Sequence, residues 1–266
     1  MSEWKGQTAL ITGASYGIGE AFAQRLAADG ANLIITARSG DRLEALARDL
    51  RERHRVSVTV IEADLARPSA PEELFHETER LNLQVDLLIN NAGFGAVGEF
   101  SRLPLARQLE MIQVNVTALA TLSHLYLQPM LKRRSGAIIQ VASTAAFQAI
   151  PYFAVYAATK AFVLSFSEAL WAECREHGVR VTGLCPGATA THFQVAAGTA
   201  HRRSSEQMQT PEEVVEVGLK ALARGRSHVV SGLVNLAQTK LELFIPRDIV
   251  TRVAARLFRP FATEQG

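Results

Sequence analysis

Long apolar runs are missing from this chain of 266 residues. None approaches the roughly 18 residues that a membrane-spanning helix needs, so a protein outside the bilayer is expected. Cysteine is nearly absent as well. Cys174 and Cys185 have no C-x-x-C spacing and make no plausible metal set with seven scattered histidines, which argues against a disulfide framework or a structural zinc site. Neither sign of charge dominates: 28 Lys and Arg against 26 Asp and Glu leave a formal +2, too weak a field to make nucleic acid the main partner. The opening MSEWKGQTALITG has neither the charged start nor the apolar core of a secretory signal. These absences point to a reduced, soluble, cytoplasmic protein.

What is present is a regular alternation of short apolar runs with longer stretches of helical period, the pattern of βαβ units in a parallel sheet. Strands are expected at 7–12 (QTALIT), 32–37 (NLIITA), from 56 (VSVTVIEA), and at 85–90, 136–143, 179–185 and 227–232. Helices are expected after the first glycine turn to Asp29, from Asp41, from about 101 to 134, and from just before Tyr156 to about His177. No linker or repeat interrupts them, and the polar stretch 196–210 reads as a loop inside one domain. The fold class expected is α/β, a doubly wound Rossmann fold with a seven-stranded parallel sheet in a single domain.

Between the first strand and the first helix lies TGASYGIG, with Gly13, Gly17 and Gly19. Glycines at such a turn let backbone approach a pyrophosphate, and the helix start offers unpaired N–H groups. The spacing is G-x-x-x-G-x-G. At the end of the second strand, where an NAD site carries an acid for the ribose 2′-hydroxyl, the chain reads TARS and places Arg38. A guanidinium suits a 2′-phosphate, so the cofactor expected is NADP(H).

Tyr156 and Lys160, in YAATK, stand four apart and share a helix face. An ammonium about 4 Å from a phenol favours the phenolate by about 4 kcal/mol at an effective dielectric near 20, about three pKa units, which would poise the hydroxyl near neutrality. Taken alone, the pair also fits an ordinary amphipathic helix.

Together these residues resemble the short-chain dehydrogenase/reductase family. TGASYGIG, NNAG at 90–93, Asn115 within VNV, Ser143, YAATK and PGATAT at 186–191 occur in the family's order, with Ser143 thirteen residues before Tyr156. The match runs from about Gln7 to Val230. The resemblance implies an NADP-dependent oxidoreductase acting on CH–OH and C=O groups. Tyr156 would be the general acid or base, with Lys160 lowering its pKa and binding the nicotinamide ribose. Ser143 would orient the substrate oxygen, and Asn115 would hold a water linking Lys160 to solvent. It also implies cofactor contacts from Ser15, Tyr16 and Ile18 in the first turn, from Asp64 and Leu65 at the adenine, and from Asn91, Ala92 and Gly93 at the adenosine ribose. Pro186, Gly187, Thr189 and Thr191 would lie at the nicotinamide amide. On this reading residues 1–232 form the dinucleotide-binding and catalytic domain, and 233–266 are a helical extension of it.

STAAFQAIPYF after Ser143 is apolar, so Phe147, Ile150, Phe153 and Phe193 are candidates for a greasy substrate wall or for ordinary core. Arg202 and Arg203 could meet an anionic tail or simply face solvent. In the extension, Ile249, Val253 and Leu257 recur at helical spacing while Arg252, Arg256 and Arg259 mark another face. That helix packs on its own subunit, covers a partner or the substrate entrance, or rests on an anionic membrane, which is the least expected of the three. The helices at 101–134 and 152–177 resemble the pair through which family members dimerise, so a homodimer or homotetramer is expected. The leading function is a carbonyl reductase or alcohol dehydrogenase for a ketone or secondary alcohol. A 3-oxoacyl-thioester reductase of lipid synthesis and a non-catalytic NADP(H)-sensing protein are the alternatives.

Overall fold

The computed structural model describes residues 3–191, 193, 208–242 and 244–263. Seven strands form one sheet: β1 (Thr8–Thr12), β2 (Asn32–Thr36), β3 (Val58–Val60), β4 (Leu87–Asn90), β5 (Gly136–Val141), β6 (Val179–Cys185) and β7 (His228–Val230). Their order is β3-β2-β1-β4-β5-β6-β7, and every neighbouring pair is parallel. The doubly wound expectation is met. Because side chains alternate across a strand, Ile11, Ile35, Ile89 and Ile139 pack to one face, against α1 (Gly17–Ala28) and α2 (Gly40–His54). Leu10, Ile34, Leu88 and Ile138 pack to the other. A strand buried on both faces reads as a continuous apolar run, which is why ALIT, LIIT and LLIN were recognisable.

Two helices lie where the sequence reading had assigned none. α3 (Ala70–Arg80) has Pro71 in its first turn followed by Glu72 and Glu73, and packs Leu74 into the second core face. Five of its eleven residues are charged, so periodicity alone was weak. A sharper signal was available for a later helix, Pro211–Ala223, where Thr210 and Glu213 form a reciprocal capping box.

The helix expected over 101–134 is two α-helical segments, α4 (Leu105–Ile112) and α5 (Leu119–Lys132), joined by a π-helical turn at Gln113–Ala118 that contains Asn115. α6 (Ala154–Cys174) carries Tyr156 and Lys160. α7 is the capped helix Pro211–Ala223, and after β7 the chain forms α8 (Leu233–Glu242) and α9 (Arg247–Thr263).

The extension departs from its expected face. Ala254 and Phe258 are the buried side of α9, whereas Ile249, Val253 and Leu257 are exposed. Fitting a phenyl ring into an aromatic recess decides the helix rotation, and the aliphatic stripe faces out. Arg202 and Arg203 lie outside the described residues.

Candidate active site

The strand order reverses between β1 and β4, the place where an open α/β sheet leaves a crevice beyond its carboxyl ends. A cleft of about 550 Å³ opens there. Eighteen of the twenty residues expected to bind the cofactor or to act in catalysis line it, from Gly13 in the first turn to Thr191 after β6; Gly19 and Asn115 do not.

The first turn is built for close approach. Gly17 has φ +58°, and a Cβ on it would come within 2.8 Å of Thr191 Cγ2. Gly19 sits beneath the turn, where a Cβ would run into the Gly13 carbonyl oxygen and the Asn91 amide. Tyr16 caps α1 without any side-chain hydrogen bond to the helix start, so the first-turn N–H groups meet no side chain at the cap. A backbone cradle at a helix N-terminus fits a pyrophosphate.

Asn91 supports this cradle from below. Its Nδ2 donates to the carbonyls of Thr12 (2.9 Å) and Gly13 (3.1 Å), and Thr12 Oγ1 accepts from the amides of Asn91 and Ala92, each at 3.0 Å. Its side chain therefore ties β1 to β4. Thr12, unnoticed in the sequence, is the pivot of that tie. Asp64 closes its own turn, Oδ1 accepting from Ala66 N at 3.1 Å. Arg38 is exposed beside the cleft with Glu110 at 3.7 Å. Nearby, the Arg42 guanidinium lies 3.6 Å over the Tyr16 ring.

At the other end Tyr156 and Lys160 are both buried on α6. Lys160 Nζ donates to the Val141 carbonyl at 2.7 Å and lies 5.8 Å from the centre of the Tyr156 ring. Burial pushes the lysine down to about 8. It pushes the Tyr156 hydroxyl up to about 12, against a smaller lowering by its hydrogen bond with Ser143. The expected drop toward neutrality is thus reversed. The ammonium is committed to a carbonyl rather than to the phenol, and loss of hydration outweighs the remaining attraction.

Ser143 lies two residues beyond β5, and its Oγ also accepts from Ala145 N at 3.1 Å. Asn115 is fully buried behind the cleft wall. Its Oδ1 accepts from Phe94 N at 3.1 Å, while Nδ2 donates to Phe94 O at 3.0 Å and Thr159 Oγ1 at 3.1 Å. These bonds hold α6 and the chain after β4 together across the π turn.

Aromatic rings surround the hydroxyl. Phe153 stacks on Tyr156 at 4.3 Å, Phe193 tilts against it at 5.3 Å, and Phe258 from α9 stacks on Phe153 at 6.1 Å. Ile150, Phe153 and Phe193 line the cleft as expected, but Phe147 does not; it packs in a separate cluster with Leu119 and Val163. Phe258, Asn235 and Gln238 reach the cleft from the C-terminal helices, and no local motif could have announced them. Arg259, grouped with Arg252 and Arg256 on one face in the sequence reading, donates Nε to the Tyr152 hydroxyl at 3.2 Å.

The family model described as short chain dehydrogenase matches residues 7–202. The chain belongs to the short-chain dehydrogenase family. It is an oxidoreductase with the nucleotide-binding Rossmann fold of that family. This dehydrogenase is 31% identical over 235 residues to the 7β-hydroxysteroid dehydrogenase of Collinsella aerofaciens, covering 87% of this chain and 88% of the relative. A solved structure of a 7β-hydroxysteroid dehydrogenase superposes with a TM-score of 0.87 at 28% identity, over 95% of this chain and 98% of the other. The short-chain dehydrogenase from Sphingobium yanoikuyae in complex with NADPH gives a TM-score of 0.79 at 31% identity, over 91% and 97%. No helix among the described residues is long and apolar enough to cross a membrane, and no group of three metal-ligating side chains occurs among them.

Proposed function

We infer that this dehydrogenase is an NADP(H)-dependent carbonyl reductase or alcohol dehydrogenase that interconverts an apolar ketone and its secondary alcohol. The observation that carries the reading is the Tyr156 hydroxyl: buried, hydrogen-bonded to Ser143, and open to the same cleft as the glycine turn. When bound, the dinucleotide supplies or accepts the hydride. The first-turn backbone at Ser15, Tyr16 and Ile18 receives its pyrophosphate, and Arg38 its 2′-phosphate. Asp64, Leu65, Ala92 and Gly93 border the adenosine, and Pro186, Gly187, Thr189 and Thr191 the nicotinamide amide. NADPH bound to the similar Sphingobium enzyme supports this choice of cofactor.

Ser143 and Tyr156 together hold the substrate oxygen. Tyr156 gives its proton as the carbonyl becomes an alkoxide, and takes it back in the reverse direction. Burial keeps that hydroxyl protonated at neutral pH, the form that donates to a carbonyl oxygen. Lys160 stays largely protonated at pH 7 and supplies a positive charge one helical turn away. The rings of Phe153, Phe193 and Phe258 favour an apolar body on the substrate, in keeping with a hydroxysteroid dehydrogenase among the relatives. Leu105, Leu109 and Ile112 on α4 and Phe162 on α6 are exposed apolar side chains, and a second copy of the chain covers them in this reading.

The test is a panel of ketones, aldehydes and 3-oxoacyl thioesters with NADPH, run on the native protein and on Tyr156→Phe. The variant should bind NADPH normally and turn over at least about 1000-fold more slowly. Turnover within tenfold of native removes Tyr156 as proton donor. A preference for thioesters makes it the acyl reductase of lipid synthesis, and NADPH binding without turnover of any carbonyl makes it a sensor.

A further inference from the structure

The two helices after β7 carry an unusual share of the exposed apolar surface. Eight of the fifteen large hydrophobic side chains exposed among the described residues lie between Leu233 and Leu257. Leu233 and Phe244 are each 85% exposed, and Val234 is 81% exposed. α8 shows its i, i+8 pair Leu233 and Leu241 to solvent, and α9 its i, i+4, i+8 stripe Ile249, Val253 and Leu257.

Charge is laid out beside this surface. At roughly 100° per residue, the aliphatic stripe of α9 spans about 80°, and Arg252, Arg256 and Arg259 occupy the adjoining arc of about 60°. Buried Ala254 and Phe258 lie on the opposite side. From 233 to 259 there are five cations against two acids. Lys240, Arg247 and Arg256 have no carboxylate within ion-pair distance among the described residues. The apolar face of α4 and α6 has no such border.

We propose that the outward face of α9 docks the protein onto an anionic phospholipid surface, with the aliphatic stripe at the acyl boundary and the arginines at the headgroups. An amphipathic helix with a basic flank lying in the interface plane is held by apolar burial and by attraction to anionic lipid. A second copy is the less suited occupant: antiparallel pairing through the stripe runs the arginine border of one helix along the same border of the other, where like charges repel. α9 then has two tasks on two sides, with Phe258 against the cleft and the stripe against lipid.

Co-sedimentation of the full-length protein with vesicles tests this. Native protein should bind vesicles of phosphatidylcholine mixed with phosphatidylglycerol, and bind vesicles of phosphatidylcholine alone at least about tenfold more weakly. Val253→Asp combined with Leu257→Asp should abolish binding. Arg252→Gln combined with Arg256→Gln should weaken it about 25-fold, roughly fivefold per arginine. These side chains are exposed, so thermal midpoint and NADPH affinity should stay at native values, and sedimentation velocity should give the native assembly state. Absence of native binding to anionic vesicles overturns the proposal. So does binding that survives both double variants, or a smaller assembly in the aspartate variant, which would make the face a contact between copies.

Discussion

At the nucleotide end of the cleft the wall is backbone: Gly13, Gly17 and the start of α1, held from below by Asn91 and Thr12. At the substrate end it is side chains: Phe153 from α6's start, Phe193 after β6, and Phe258 from α9, more than 100 residues further along the chain than Phe153. A backbone wall depends on glycine, because only a missing Cβ leaves the room. It is therefore written locally. A ring wall depends on which elements happen to meet, and many sequences satisfy it. The first end is built to hold one shape of ligand, the second to be retuned.

That contrast can be broken most forcefully at Gly19. Gly19→Ala puts a methyl against the Gly13 carbonyl, and should cost about 3 kcal/mol of stability with about a 100-fold loss of NADPH affinity. Chemical denaturation and fluorescence titration measure the two. Native affinity would mean that the turn yields and the cradle is not backbone-limited. Arg38→Asp should next lower the NADPH-to-NADH preference by about 30-fold at unchanged stability. A preference left where it was would assign the 2′-phosphate to another group, with Arg42 the first to examine.

Lys160→Met probes what burial costs the catalytic end. Folded Lys160 titrates at about 8 against an ordinary 10.5, so between those values the unfolded chain binds more protons than the native one. Native stability from this group therefore rises with pH across that window. Removing the charge should stabilise the protein at pH 7 by on the order of 2 kcal/mol, with the gain fading from about pH 8 and gone by pH 10.5, while turnover collapses. A variant less stable than native at pH 7 would show that the bond to Val141 outweighs desolvation. Tyr156 acts in the opposite sense: raised to about 12 from 10.0, it loses its contribution as pH climbs through that interval. The smallest effect is expected from Phe258→Ala, about a tenfold rise in KM for bulky apolar ketones at unchanged NADPH affinity. Steady-state kinetics with a small and a bulky ketone decide it, and equal KM values for native and variant would take α9 out of the substrate wall.

Much of this was legible in the chain. β1, β2 and β4 are apolar on both faces because the sheet is covered on both, so they stood out without periodicity. The glycine turn and the Tyr156–Lys160 pair each lie within a few residues. What could not be read was whatever depends on solvent exclusion or on distant packing. Lys160 was expected to tune Tyr156 by its charge, yet both are buried, and desolvation decides the direction of both shifts. The bonds of Asn115 to Phe94 and Thr159 link segments 21 and 44 residues away, and no local motif announces them. α3 was missed because its charged surface hides the one apolar stripe it buries.

By itself the sequence determined the order of the seven strands, the turn that only glycine permits, and the spacing of Ser143, Tyr156 and Lys160. These are properties of short segments, where covalent geometry and residue size act without help. Tertiary structure alone decided which ring closes the cleft, which side of α9 faces inward, and in which direction burial moves two ionisable groups. Those outcomes depend on which surfaces exclude water, and that is settled only when segments far apart in the chain come into contact.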